Sequence, residues 1–476
     1  MMKWMNVSFP PLMVYESMQR KKVALTPVLP NRFNMFVCGP TVYDETHIGH
    51  GRAYSFYDIM ARWLRTLGYS VFYLQNITDI DDKIIKRAND ENRAWKEIAL
   101  EYEEKYMEAM EALNITSVNL YARATEHIPE IISQVRRLID SGHAYILDDG
   151  IYFDVSSFPE YGKLSQQELR DLKPGARVEV KGEKKTPYDF VLWKFRKPNE
   201  PYWDSPWGEG RPGWHIEDTA IAERYLGVQY DIHGGGEDLV FPHHECEIAQ
   251  MESISGVKPM VRYWVHISFL TIRKEKMSKS LGNIIPIRDA VKKWGGEALR
   301  LFYATSIHTQ PQDFDEGLLD SAKSALEGIY RVLYDLERKE KEGEENQGDE
   351  RVESQVNIEL QKFVNALSDD FNTPVALASL HAAKNIAMEY ISRDHISLTT
   401  IRTLRRAMTW MGSILGIFRE VKKPVNLEHL LELFISIRNE LRQRRMYELA
   451  DKIRDELNKI GIVLEDSKRG TTWYAK

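Results

Sequence analysis

Cys38-Gly39-Pro40-Thr41-Val42-Tyr43-Asp44-Glu45-Thr46-His47-Ile48-Gly49-His50 is the stretch on which the reading of the fold turns. The apolar run Met35-Phe36-Val37 before it has the texture of a buried strand end. Beyond it, Tyr57, Met60, Leu64 and Leu67 recur at helical spacing, and Gly68 is placed to close that helix. The order strand, Gly/Pro turn, helix puts two imidazoles where the helix begins. A helix start offers unpaired N–H groups and the positive end of its dipole, which suits phosphate. Two histidines there can donate hydrogen bonds to phosphate oxygens as negative charge builds. Taken alone, the same residues also fit a surface loop with incidental histidines.

Working outward, the chain has 476 residues, too many for one hydrophobic core, so two to four domains are expected. A formal net charge of -7 gives no global sign of nucleic-acid binding, so any such surface has to be a local basic face on an acidic body. Two cysteines in so long a chain argue against a disulfide framework and fit a reducing compartment. The first residues include Pro10 and Pro11 and lack a basic start and a cleavage site, and no apolar run reaches membrane-spanning length. A cytoplasmic protein that does not engage membranes is the expectation.

From about residue 13 to 135 strand and helix patterns alternate, with strands at 34–37 and 71–75 around a helix at 54–67. That alternation predicts a parallel sheet covered on both faces. The second strand runs into Asn76-Ile77-Thr78-Asp79-Ile80-Asp81-Asp82-Lys83. Ligands of such sheets gather beyond the carboxyl ends of the strands, where this polar group and Cys38 both fall. Its three aspartates suit either a Mg²⁺ clamp or, more simply, capping of the next helix. Tyr145-Ile146-Leu147 and Ile151-Tyr152-Phe153 flank Asp148-Asp149-Gly150, the pattern of a hairpin around an Asp-Gly turn. The region from 144 to about 210 reads as an insertion. The parallel pattern resumes at Tyr230-Asp231-Ile232-His233, followed by Gly234-Gly235-Gly236, either a close backbone approach to a ligand or a flexible turn. Ala322, Leu326, Ile329, Leu333 and Leu336 form a helical stripe, and 337–353 reads as an exposed charged linker. Asn372-Thr373-Pro374 starts a helix, and helical periodicity then dominates, with strands again only near 461–464 and 471–474.

A second chemistry-bearing stretch is Lys276-Met277-Ser278-Lys279-Ser280-Leu281-Gly282-Asn283, a small-residue loop whose two lysines can reach a polyphosphate. With the histidines holding phosphates, these lysines can neutralise the charge that develops as pyrophosphate leaves. His47-Ile48-Gly49-His50 and Lys276-Met277-Ser278-Lys279-Ser280 match the HIGH and KMSKS motifs of class I aminoacyl-tRNA synthetases. Gly213-Trp214-His215-Ile216-Glu217, His233-Gly234-Gly235-Gly236, Phe241-Pro242-His243-His244-Glu245 and Asp369-Asp370-Phe371-Asn372-Thr373-Pro374, with the stretches around Cys38 and Thr78, resemble the cysteinyl-tRNA synthetase family. The resemblance implies an α/β chain. A Rossmann-like parallel-sheet catalytic domain occupies 1–270, with an insertion at about 136–212. A KMSKS-loop connecting region follows at 271–317, then a helical anticodon-binding bundle at 318–425 and a small C-terminal tRNA-recognition unit at 426–476.

It also implies an ATP-dependent ligase for cysteine and tRNA(Cys), with Mg²⁺ accompanying ATP, and a monomer is expected over a homodimer. His47, His50, Lys276 and Lys279 are the expected catalytic groups. Gly39, Thr41, His47, Gly49, His50, His233, Gly235, Asp238 and Lys279 are expected at ATP, with His244 nearby, and Cys38, Thr78, Trp214 and His243 at cysteine. No general base stands out, and positioning can suffice. The family holds a Zn²⁺ with two Cys, one His and one Glu, which fall here on Cys38, the residue after Glu217, His243 and Glu247. That second cysteine is Asp218 in this chain. Three readings stay open: Asp218 ligates directly, Cys246 takes over, or the metal is weakened or lost and the thiol is recognised by polar groups. Zinc selects a thiol over a serine hydroxyl of similar shape, which a pocket alone does poorly. Arg438, Arg442, Arg444, Arg445 and Arg454 suggest a basic face for RNA, and Trp473 a base-stacking platform. Two rivals are a cysteine ligase with an amino-sugar acceptor, which has no use for 354–476, and a non-catalytic RNA-binding relative, in which the phosphate motifs would have eroded.

Overall fold

A computed structural model describes residues 6–167, 184–277, 283–342, 347–419, 427–467 and 470–475. Its centre is a five-stranded parallel sheet built from β1 (Arg32–Val37), β2 (Ser70–Ile77), β3 (Leu120–Arg123), β4 (Tyr230–Gly236) and β5 (Val261–Ile267). The strand order is β5-β4-β1-β2-β3, and every pairing is parallel. From β1 the chain moves one way to β2 and β3; it returns on the other side only at β4. The gap between the carboxyl ends of β1 and β4 is therefore the topological switch point, where open sheets of this kind bind ligands. Both predicted strands are present, each slightly longer than its apolar core.

The crossover from β1 to β2 is α1 (Ile48–Thr66), whose Tyr57, Met60, Ala61 and Leu64 are buried on the sheet. Arg52 on α1 is also buried and donates to the carbonyls of Ser268, Phe269, Ile307 and Gln310, tying this helix to the segments around the 271–314 region. α2 (Ile216–Leu226) and α3 (Glu245–Ser255) flank β4, and their apolar sides join one core with Phe36, Leu74 and Trp264.

The insertion is a four-stranded antiparallel sheet, Ala144–Leu147, Gly150–Phe153, Phe190–Phe195 and Gly210–Pro212. The expected hairpin is there, but Leu147 pairs with Gly150, so Asp148 and Asp149 make the turn and the glycine lies in the strand. A Cβ at Gly150 would stand 2.4 Å from the Trp193 carbonyl, so close packing explains the residue. The Gly234-Gly235-Gly236 triplet corrects a turn reading in the same way. It is the end of β4, paired with Val265, His266 and Ile267, and the Tyr57 ring lies 2.4 Å from where a Gly234 Cβ would be.

α4 (Glu316–Glu342), α5 (Glu350–Ser368), α6 (Thr373–Ile391) and α7 (Leu398–Leu415) form the bundle. Within 337–353, residues 337–342 and 350–353 are helix where a linker was expected. Arg402 and Arg405 of α7 reach Glu340 across the bundle, and Asp349 caps α5 by accepting from Arg351 and Val352 N–H. Asn372 caps α6 as predicted, accepting from Val375 N–H at 3.2 Å. The chain divides into two compact units, Met1–Ile417 and Phe418–Lys476. The second has two helices, Leu427–Gln443 and Tyr447–Lys459, and a hairpin, Ile462–Ser467 with Gly470–Ala475, around Leu431, Leu457, Ile462 and Leu464. Among the described residues, no helix is long and apolar enough to cross a membrane.

Candidate functional site

The carboxyl ends of β1 and β4 are stitched together where Cys38 N–H donates to the Gly234 carbonyl (3.0 Å). Cys38 Sγ then faces four side chains from elements far apart in sequence. Its thiol donates to Asp218 Oδ2 on α2 (3.4 Å), stands 4.0 Å from Glu247 Oε1 on α3, and contacts Nε2 of His233 (3.4 Å) and of His244 (3.2 Å). His243 Nε2 lies 3.0 Å from both Asp218 Oδ2 and Glu247 Oε1. Cys38, Asp218, His243 and Glu247 thus bring four donor atoms within 4.8 Å of one another, all buried. Cys38, His233, His244 and Glu247 make a second, overlapping group.

The first group suits a four-coordinate ion. Bonds of ~2.0–2.3 Å in a tetrahedron give donor–donor edges of about 3.3–3.8 Å, and the separations here are 3.0, 3.0, 3.4 and 4.0 Å. Glu247 Oε2 is buried without a hydrogen-bond partner. Burial, then the nearby Glu247 and Asp218 charges, push the Cys38 thiol well up, and burial followed by Asp218 and Glu217 does the same to Glu247. Buried groups raised in this way bind a divalent ion with release of protons. The surrounding imidazoles supply no such charge: burial lowers His215, His233 and His244 well below the usual range and His266 to about 3.

Several groups orient the donors. His215 Nδ1 meets His243 Nδ1 at 2.7 Å, which turns the His243 Nε2 toward the carboxylates. The Trp214 ring stacks on His243 with centroids 4.4 Å apart. Thr78 Oγ1 donates to Glu217 Oε1. His244 continues through Nδ1 to His266 Nε2 (2.8 Å) and on to Ser17 Oγ (2.7 Å). His233 and His244, placed near ATP by the sequence reading, point their Nε2 at Cys38. Cys246 does not join this group: its Sγ meets the Tyr161 hydroxyl (3.3 Å) and is packed in the apolar core, one residue and so about 100° round the helix from Glu247.

His47 is the N-cap of α1, and the two histidines cap each other's turn. Gly49 N–H donates to His47 Nδ1 (3.2 Å), and His47 N–H donates to His50 Nδ1 (3.4 Å). Their rings stack at 3.8 Å. With each Nδ1 acting as acceptor, the neutral rings carry their protons on Nε2. Burial lowers His50 to about 4, so it is a neutral donor. His50 stacks on Tyr54 (6.3 Å), whose hydroxyl donates to the Cys38 carbonyl (3.4 Å), linking the helix start to the donor group.

Residues 278–282, Lys279 among them, lie outside the described residues, and of Lys276 only the backbone, in Glu275–Lys276, is described. Both ends of that gap meet the helix start. Met277 Cε would contact a Gly49 Cβ at 2.8 Å, and Ile48 N–H donates to the Ile285 carbonyl at 3.0 Å. Thr41 forms a parallel bridge with Thr78. Gly235 N–H is 2.6 Å from the Tyr57 hydroxyl oxygen, and Asp238 Oδ1 lies 2.6 Å from a would-be Gly236 Cβ. Asp81 caps the helix Asp82–Glu91, Asp79 accepts from Thr125, and Asp82 pairs with Lys194 and Arg211, so these aspartates serve the fold as the capping alternative held.

Residues 24–324 match the model for the tRNA synthetases class I (C) catalytic domain, and residues 362–419 match the DALR domain. The chain belongs to the class I cysteine–tRNA ligase family. It is 46% identical to the cysteine–tRNA ligase of Staphylothermus marinus, covering 97% of this chain and 99% of that one. With the enzyme of Saccharolobus solfataricus the identity is 45%, over 97% and 98%. Mycobacterium tuberculosis methionyl-tRNA synthetase in complex with methionyl-adenylate shares the fold at a TM-score of 0.59 and 17% identity, covering 81% of this chain and 89% of that one.

Proposed function

We propose that this chain activates L-cysteine with ATP, releases pyrophosphate, and transfers cysteine to the 3′ end of tRNA(Cys). One observation carries the reading: the strand–loop–helix unit from β1 to α1 carries both Cys38, which meets Asp218, His243 and Glu247 from α2 and α3, and the imidazole-capped start of α1, at the switch point of the sheet. Cys38, Asp218, His243 and Glu247 would hold a Zn²⁺, with His215 and Trp214 fixing His243. When bound, that ion deprotonates a substrate thiol and prefers it to a hydroxyl.

The cysteine carboxylate attacks the α-phosphorus of ATP. An acyl–phosphate bond forms, the bond to pyrophosphate breaks, and the terminal ribose hydroxyl of tRNA then takes the acyl group as AMP leaves. His47 and His50 donate Nε2–H to phosphate oxygens in the positions fixed by the cap, and the helix start adds its dipole. Lys276 and Lys279 supply mobile positive charge from the loop whose two ends meet Gly49 and Ile48. Gly39, Thr41, Gly49, His233, Gly235 and Asp238 border the nucleotide, Thr78 and Trp214 border cysteine, and Mg²⁺ enters with ATP.

In the C-terminal unit Trp473 borders an open groove of about 690 Å³ with Asn439, Gln443 and Thr471, a place for an unpaired base. The arginines there are partly committed. Arg438 is buried and binds Asp466 with both terminal nitrogens (2.8 and 2.7 Å), and Arg442 joins the same carboxylate.

Cysteine-dependent ATP–pyrophosphate exchange followed by tRNA charging tests the reading. Both activities are expected. Exchange without charging would indicate another acceptor, and no exchange would leave a binding module. Zinc analysis of wild type, Asp218→Ala and Cys246→Ala is expected to show loss in the first variant only; full zinc in Asp218→Ala would remove that residue from the ligand set.

A further inference from the structure

Asn76, at the end of β2 and 1% exposed, touches both sides of the donor group at once. Its Oδ1 accepts the Gly39 N–H (2.6 Å), the amide next to Cys38, and its Nδ2 donates to Asp218 Oδ1 (2.6 Å). Nδ2 also lies 3.4 Å from Thr78 Oγ1. An amide has one acceptor end and one donor end, so the Gly39 contact decides that the NH₂ faces Asp218. One oxygen of Asp218 is thereby engaged. The other, Oδ2, is the one that faces Cys38 Sγ (3.4 Å) and His243 Nε2 (3.0 Å). A carboxylate offers a cation two oxygens, and a donor on one of them leaves a single directed ligand atom.

We propose that Asn76 is a positioning residue that makes Asp218 a one-oxygen metal ligand through its hydrogen bond to Oδ1. This rests on the zinc reading above. The residue acts through Asp218, with no contact to substrate. A thiolate at 218 has a single donor atom, so Asn76 has nothing to select there, and the pair forms a natural double-mutant cycle.

Zinc affinity of the full chain, by competition with a chromophoric chelator, is compared in wild type, Asn76→Ala, Asp218→Cys and the double variant. With Asp218 present, Asn76→Ala is expected to weaken zinc about 10–100-fold. In the Asp218→Cys background the same change is expected to cost clearly less, since only the Gly39 contact is then lost. Asn76→Ser leaves a side chain too short to span from Gly39 to Asp218 Oδ1, so it should match the alanine variant even if that one folds poorly. In the cobalt(II)-loaded chain, Asn76→Ala should weaken the visible d–d bands as a second carboxylate oxygen raises the coordination number. Equal losses in both backgrounds, or zinc affinity indifferent to Asn76, overturn the proposal while leaving the zinc site standing. Wild type that takes up no zinc overturns the zinc reading and this proposal together.

Discussion

Replacing His50 by alanine removes one neutral N–H donor from the start of α1 and leaves His47 N–H without its acceptor. A hydrogen bond to a charged group contributes about 1.5–3 kcal/mol, which is ~10–150-fold in rate if the phosphate charge it meets is larger in the transition state. The expected loss in kcat for cysteine-dependent ATP–pyrophosphate exchange is therefore of that size, with KM for cysteine little changed, since the cysteine-side donors lie elsewhere. His50→Gln should recover part of it, because an amide N–H can stand where Nε2–H stood. The pH profile gives the sharper test. Burial holds His50 at about 4, below its ordinary 6.5, so it is protonated only near and below pH 4. Between pH 5.5 and 8.5 it stays a neutral donor in the free enzyme and contributes no inflection to kcat/KM. A wild-type inflection between pH 6 and 7 that is absent from His50→Gln would refute the reasoning, since it would mean that an imidazolium does the work.

Three further outcomes follow from the packing. Asp58 and Arg300 form an ion pair with both side chains fully buried (2.7 Å), and Asp58 also accepts from Arg62 and from the amides of Thr116 and Ser117. Asp58→Ala strands the Arg300 charge and is expected to lower stability by about 3–5 kcal/mol in chemical denaturation. Asp370 is raised by burial to about 6 from its ordinary 3.8. The stability linked to its proton is fully present below pH 3.8 and lost as pH rises through about 6, so Asp370→Asn should match wild type at low pH and exceed it at pH 7.5. A rise of this size corresponds to about 3 kcal/mol; melts at several pH values check it. A Cβ on Gly39 would stand 1.7 Å from the Asn76 carbonyl oxygen, so Gly39→Ala should reach the upper end of the ~1–3 kcal/mol that overpacking costs, with loss of bound zinc as its readout.

Local signals were the legible ones. The apolar run before Cys38, the helical spacing after His50 and the Asn372 cap each depend on residues a few positions apart, and each is present in the structure. Cys38, Asp218, His243 and Glu247 were found through motif resemblance, since long stretches of chain separate Cys38 from Asp218 and Asp218 from His243. What the sequence did not disclose depends on partners far away. Asn76 read as one more polar residue after a strand, yet it joins Gly39 to Asp218. His215 looked like a neighbour of Trp214, yet it fixes His243. The glycine triplet read as a close approach to a ligand or a flexible turn, because Tyr57, which needs the space at Gly234, belongs to α1. The charged 337–353 run looked like a linker because Arg402 and Arg405, which hold Glu340, come some sixty residues later.

On the zinc reading proposed above, the same distances make selection a matter of chemistry more than of shape. Cys38, Glu217, Asp218 and Glu247 are all buried, and the imidazoles among them are held neutral by burial. Neutral imidazoles and raised acids offer hydrogen bonds to a thiol and a hydroxyl alike, so by themselves they favour neither. A divalent cation reverses the balance. It neutralises the donors and leaves an electrophile to which a thiolate binds far better than an alcohol. The neutral histidines then matter for what they withhold: a charged imidazole beside Cys38 would pair with the carboxylates and weaken their hold on the ion. Selectivity for sulfur and the depressed imidazole pKa values are in that sense one arrangement, produced by the burial of the crevice between β1 and β4.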